Sequence, residues 1–143
     1  MKLLLIIICT CFLWVQSSAQ TPDTAVATGQ VTFLRNNSVV DFKYNKVFMD
    51  KTFLCKIGEH RYFVKDVPVG KHTFTVQFNG KKAKEGAEKL FIEIKAGEKY
   101  FVDVIFQDKW PIPNLYCIEL AASSALRVLP SLKLSTRCDE KAH

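Results

Sequence analysis

The sequence predicts an all-β protein, an antiparallel sandwich of about seven to eight strands with one short C-terminal helix or final hairpin. Three observations predict it. From Asp66 to Phe106 the chain reads as turn, strand, turn, strand, turn, strand, with apolar residues at every second position within each strand. Turn-forming residues recur every eight to twelve positions along most of the chain, the spacing of a sandwich or barrel. Beyond the first few residues there is no apolar run near the length of about twenty that a membrane-spanning helix needs.

The first element is a targeting signal. Lys2 supplies a positive start, Leu3 to Val15 form an apolar stretch of 13 residues, and Ser17-Ser18-Ala19 offers the small residues of a cleavage site. Residues 1–19 are therefore expected to be a signal peptide cut near Ala19, with the remainder exported to the periplasm or secreted. Cys9 and Cys11 lie inside the apolar stretch and do not fit a lipid-anchor site. Residues 20–138 are expected to form one domain, and 139–143 a disordered tail.

Gln20 to Thr28 is a polar entry segment, and Gly29 to Arg35 is the first strand, with Val31 and Phe33 on one face. Asn36-Asn37-Ser38 turns the chain and fits the N-glycosylation pattern, which matters only in a eukaryote. Val39 to Tyr44 is a short strand or an extended connection. Lys46 to Met49 and Thr52 to Ile57 form a hairpin around Asp50-Lys51, and Gly58-Glu59 turns into a strand from His60 to Val64. In Val67-Pro68-Val69-Gly70, Pro68 presets its φ for a tight turn and Gly70 suits its last position. Phe74, Val76 and Phe78 then share one strand face, with Thr73, Thr75 and Gln77 on the other. Leu90, Ile92 and Ile94 repeat the pattern, Ala96-Gly97 turns, and Tyr100, Val102, Val104 and Phe106 repeat it again.

Past Phe106, the prolines of Trp110-Pro111-Ile112-Pro113 lack the N–H that a ladder needs, so a bend or edge crossing is expected. Asn114 to Leu120 resumes β character, and Ala121 to Leu129 contains good helix formers up to Pro130. With the signal removed, Cys55, Cys117 and Cys138 remain. Cys55 has the strand parity of Phe53 and Ile57. Cys117 is opposite in parity to Tyr116, Ile118 and Leu120, and Cys138 follows 21 residues later. The economical pairing is Cys117 with Cys138, leaving Cys55 buried and free.

The segments Val47-Phe48-Met49-Asp50, Val67-Pro68-Val69-Gly70-Lys71-His72-Thr73-Phe74 and Ile94-Lys95-Ala96-Gly97-Glu98-Lys99-Tyr100-Phe101 resemble a family of exported bacterial domains of unknown function. That family is similar to PEGA and carboxypeptidase-regulatory-like β-sandwiches. The resemblance spans about Ala27 to Leu120 and rests on turn chemistry, with Lys51 standing where the family has glycine. It implies a small Ig-like or transthyretin-like envelope or secreted sandwich, with no catalytic residues to carry over.

No residue pattern adds chemistry to this. The three histidines show no metal spacing, and no HExxH, paired-cysteine or nucleophile-elbow motif is present, so no catalytic residue, metal or cofactor is expected. His72 reads as a structural turn residue, and Asp103 as a mid-strand carboxylate on a half-exposed sheet or part of a binding face. A hydrolase would require His60, His72, Asp103 or Cys55 to converge. Two surface features are candidates for binding. One is the connection around Asn79-Gly80 carrying Lys81, Lys82, Lys84 and Lys89, which Glu85 and Glu88 dilute; the other is Trp110 beside Tyr116 and Phe106, an aromatic anchor on a rigid bend. The net charge of +6 is modest and its signs are interspersed. The expected function is a non-catalytic binding or adaptor module that meets an envelope or extracellular protein or glycan, not nucleic acid. A small-ligand carrier or an enzyme inhibitor is the alternative.

Overall fold

The computed structural model describes residues 25–36, 44–108 and 113–138. The signal peptide with its cleavage near Ala19, the extended reading of 39–43, the bend at Trp110 and the tail 139–143 lie outside these residues. The elements are β1 (Thr28–Arg35), β2 (Tyr44–Met49), β3 (Thr52–Gly58), β4 (Arg61–Pro68), β5 (Gly70–Gln77), β6 (Leu90–Ile94), β7 (Lys99–Gln107), β8 (Asn114–Leu120), α1 (Ala122–Val128), a 3-10 turn (Leu129–Ser131) and β9 (Lys133–Leu134). They form an all-β sandwich of two sheets, ordered β8-β7-β1-β4-β9 and β3-β2-β5-β6.

Several turns that read locally as reversals carry the chain between the layers. β4 runs through Val67 and Pro68, which pair with Gly29 and Thr28, and Val69 alone then connects it to β5 in the other sheet. Its N–H bonds to Ala27 O at 3.0 Å. Ala96-Gly97 likewise delivers β6 of one sheet to β7 of the other. Because β7 starts at the end where β1 starts, with Gly97 N–H on Thr28 O and Gln30 N–H on Glu98 O, the two strands run parallel. β4 and β9 are parallel as well. The antiparallel expectation holds for the remaining strand pairs and fails for these two, whose partners are far apart in sequence.

Local turn chemistry explains the other boundaries. Asp50 and Lys51 both have positive φ (49° and 70°), the geometry a two-residue hairpin needs between β2 and β3. The next turn falls at Glu59-His60, with His60 at φ 48°, one residue later than expected. Gly58 ends β3 there, and its missing side chain admits Tyr44: a Cβ would stand 3.2 Å from Tyr44 Cε1.

Every second side chain meets the opposite layer, as the alternation predicts. Phe33 stacks on Phe63 at 4.7 Å between centroids and meets Phe74 edge-on at 5.3 Å. Val31, Val47, Ile57 and Val102 fill the space around them without exposure. Each such side chain contributes roughly 1.5–3 kcal/mol against chain entropy. A bulge between Val47 and Phe48 shifts the β2–β3 register, so Phe48 pairs with Phe53 and the two rings meet edge-on at 5.8 Å.

A second, smaller apolar layer lies on the outer face of the β7-containing sheet. Leu34 and Phe101 are buried there against Ala125 and Leu132, because α1 and the turn after it cross that face on the way from β8 to β9. The chain then continues as a strap along the opposite flank. Lys133 and Ser135 donate their N–H groups to His60 O in the β3–β4 turn and Tyr62 O on β4, and Ser135 Oγ donates to Lys56 O on β3 at 3.0 Å. Arg137 lies 4.4 Å over the Tyr44 ring.

This route corrects the cysteine pairing. Cys138 is bonded to Cys55, 83 residues away, and Cys117 is the buried free thiol. The expected Cys117–Cys138 bridge assumed that Cys117 faced away from the core. With α1 covering part of the outer face, both faces of β8 carry apolar residues, and it is Cys117 that points between the sheets. β8 is moreover the edge strand on the flank away from β9, whereas the strap brings Cys138 to β3.

Candidate functional site

The connection between β5 and β6 is a built loop. Gln77 has the parity of Thr73 and Thr75, which reads as a solvent face, yet it is 4% exposed because the loop folds back over it. Its Nε2 donates to Asn79 O at 2.7 Å and Lys82 O at 2.9 Å, and its Oε1 accepts the Lys84 N–H at 2.9 Å. Lys46 Nζ donates to Gly80 O at 2.9 Å from the neighbouring strand. Gly80 is required twice over: its φ is 112°, and a Cβ there would stand 2.7 Å from Gln77 Nε2. One buried amide and one lysine thus hold the backbone that presents Lys81, Lys82 and Lys84, all exposed.

The loop is fastened to the other sheet at both ends: Phe78, just after β5, meets Phe106 at 5.9 Å, and on the returning half Asn114 Nδ2 donates to Glu88 Oε2 at 3.1 Å. The same end of the sandwich carries Arg61 and Arg35. Arg35 is 2% exposed and 3.7 Å from Glu59; burial pulls its guanidinium down while the Glu59 carboxylate holds it up. Of the aromatic feature, Phe106 thus meets Phe78 at the start of the lysine loop. Tyr116 itself is half-buried and has the parity of Ile118 and Leu120, opposite to the core-facing Leu115 and Cys117, and Trp110 lies outside the described residues. Sequence reasoning missed Gln77 and Lys46. The Asn79-Gly80 pair following a strand was the available signal of an ordered loop.

The four residues a hydrolase would need do not come together. His60 lies in the β3–β4 turn and His72 near the β2–β3 turn, separated by the length of β3, roughly 20 Å. Cys55 is in the disulfide. Among the described residues no group of three His, Cys, Asp or Glu is placed to hold a metal ion, and no helix is long and apolar enough to cross a membrane.

His72 instead joins two turns. Its Nδ1 is 2.6 Å from Asp50 Oδ2 and its Nε2 2.9 Å from Pro68 O, while Asp50 Oδ1 accepts the Thr73 N–H at 2.9 Å. Burial works upward on the Asp50 carboxyl, and the His72 ring and the Thr73 N–H outweigh it, so the group is held below its usual range.

Among the described residues, Asp103 is the carboxylate in a costly place. It lies on the outer face of β7 between Leu34 and Ile118, half-buried, with Oδ1 lacking a hydrogen-bond partner. Burial pushes its pKa from 3.8 up to about 6, against the pull of the Val104 N–H. A carboxyl that binds its proton more tightly when folded favours the fold below pH 3.8, and that advantage is lost as pH rises through about 6. Asp103→Asn is expected to raise unfolding stability at pH 7 by about 1–2 kcal/mol after allowance for solvent screening, with the gain gone at pH 3.5. Urea melts at the two pH values check it; an equal effect at both would contradict the assignment. Cys117 behaves consistently with its burial, which, with the Asp103 and Glu88 charges, pushes its thiol up to about 12.

No protein-family model matches this chain, and no curated protein matches it either.

Proposed function

We propose that this chain is a non-catalytic exported binding module that meets an acidic partner, a protein or a glycan of the envelope or extracellular space, through the loop carrying Lys81, Lys82 and Lys84. The observation that carries the reading is the Gln77 clamp, whose amide satisfies three backbone groups of one loop. A mobile lysine loop pays ordering entropy on binding, whereas a loop already fixed by buried hydrogen bonds presents its charges at little further cost. Its basic charge is reinforced by Lys46 and Arg61 at the same end of the sandwich. The apolar amino-terminal stretch and the resemblance to exported PEGA-like domains support the placement outside the cytoplasm.

The test is retention on an immobilised sulfated polysaccharide across a salt gradient, with the triple variant Lys81→Glu, Lys82→Glu, Lys84→Glu beside the parent. The parent is expected to be retained and the variant to elute at the salt of the loading buffer. A second variant, Gln77→Ala, keeps every lysine but releases the loop, and is expected to weaken retention by about three- to tenfold through lost preorganisation. Equal elution of all three proteins would overturn the reading.

A further inference from the structure

β6 closes one end of its sheet, so one of its sides faces no strand among the described residues. Which of its backbone groups lie on that side follows from β5. Thr73 turns both its N–H and its C=O toward Asp50 on the β2 side. In an antiparallel ladder the bonding alternates, so His72 and Phe74 bond to Ile92 and Leu90, and the N–H and C=O groups of Phe91 and Glu93 point outward; continuing the alternation one residue before β6 puts those of Lys89 on the same side. The Tyr100 hydroxyl confirms the direction at one end: it lies 3.1 Å from Glu93 O and accepts the Lys95 N–H at 3.0 Å, covering the edge beyond Glu93. An open stretch from Lys89 to Glu93 remains.

The side chains on the outer face of that stretch read Lys89, Phe91, Glu93, all exposed, and Phe91 is 72% exposed, the most exposed of the large hydrophobic residues described. Charges on an edge strand ordinarily guard against pairing. Guards of one sign repel a second copy of the same strand. Here they are of opposite sign and symmetrical about Phe91, so an antiparallel second copy meets them in complementary order: Phe91 opposite Phe91, Lys89 opposite Glu93 and Glu93 opposite Lys89. The same register is the one the backbone requires, since Phe91 is a residue whose N–H and C=O both point out. It forms two bonds between the Phe91 residues and two more from Glu93 N–H to Lys89 C=O, and none of the four needs the carbonyl beside Tyr100. β8, the edge of the other sheet, packs near β6 on this flank.

We propose that this chain self-associates as a two-fold dimer through β6, in the register centred on Phe91, to make a continuous eight-stranded sheet. The test uses protein produced from the full-length sequence, with association measured by sedimentation equilibrium. The parent is expected to dimerise. Glu93→Lys places like charges opposite each other twice and is expected to weaken the dimer on the order of thirtyfold; the double variant Lys89→Glu, Glu93→Lys restores complementarity and is expected to recover it. Phe91→Asp is expected to leave a monomer with the parent's far-ultraviolet spectrum and melting temperature, because the ring contributes little to the fold. A parent that stays monomeric at its highest soluble concentration, a double variant as weak as the single one, or a Phe91→Asp protein that still dimerises would each overturn the proposal. So would a monomeric parent whose β6 edge is taken by a different protein.

Discussion

Phe74→Asp and Val102→Lys are each expected to unfold the protein. Phe74 has no exposed surface; its ring meets Phe33 across the layers, and its strand lies between β2 and β6. Truncating such a ring alone costs about 3–5 kcal/mol. An unpaired carboxylate in the same place adds several more, because the position lies in the apolar cluster with Phe33, Val76 and Val102. Val102 sits on β7, bonded on both sides to β1 and β8, again without exposed surface. A lysine there must either leave its ammonium between the sheets or force them apart. Against a net stability of about 5–15 kcal/mol for a domain of this size, either change consumes most or all of it. Far-ultraviolet circular dichroism and thermal melting read the result, with Val64→Lys, on the exposed outer face of β4 and next to buried Phe63, as the matched control that keeps the parent melting temperature. A parent-like melt for Phe74→Asp or Val102→Lys would mean that the inward rows are misassigned.

The inward rows were legible because most strands have one apolar row and one polar row. On β5, Phe74 and Val76 against Thr73 and Thr75 leave a single solution, and the same holds for Ile92 and Ile94 against Phe91 and Glu93 on β6. The reading weakens wherever a third layer covers the outer face. β7 and β8 alternate apolar residues on both sides, Phe101 and Ile105 as well as Val102 and Val104, because α1 lies over one of them. Parity alone cannot rank two apolar rows. That ambiguity placed Asp103 on an open face, when the adjoining surface is partly covered, and turned Cys117 the wrong way.

Pairing between distant strands was not legible at all. Nothing near Thr28 or Lys99 announces that β1 and β7 run side by side, since that arrangement is decided by two sheet-to-sheet corners at Val69 and Ala96-Gly97. The lysine loop was visible as a basic connection, but its rigidity was not. Gln77 looks like the polar half of an alternating strand, and only the loop's return over that face converts the same amide into a clamp. Local chemistry thus fixes which residues can turn and which can be buried; the layer each turn leads to, and what lies over each outer face, emerges from the whole chain.

Loss of the Cys55–Cys138 bond is the second large effect, and it discriminates between pairings. Closing a loop of 83 residues restricts the unfolded chain by about 4.5 kcal/mol in the entropy model, with measured values for native bridges commonly between about 2 and 5 kcal/mol. The bond also fastens the strap that covers the flank between β4 and β3, so its absence lets Ser135 to Cys138 fray from Lys56 and Tyr62. Cys138→Ala is accordingly expected to lose about 3–4 kcal/mol under oxidising conditions. Adding a thiol reductant to the parent produces the same loss, and adding it to Cys138→Ala or Cys55→Ala produces no further change. Cys117→Ala, which removes a buried thiol that makes no bridge, costs less and keeps the full response to reductant. Denaturant melts of the four proteins with and without reductant separate these outcomes: if the response survived in Cys55→Ala and vanished in Cys117→Ala, the strap would have to end on β8, and the path of the chain beyond α1 would be wrong.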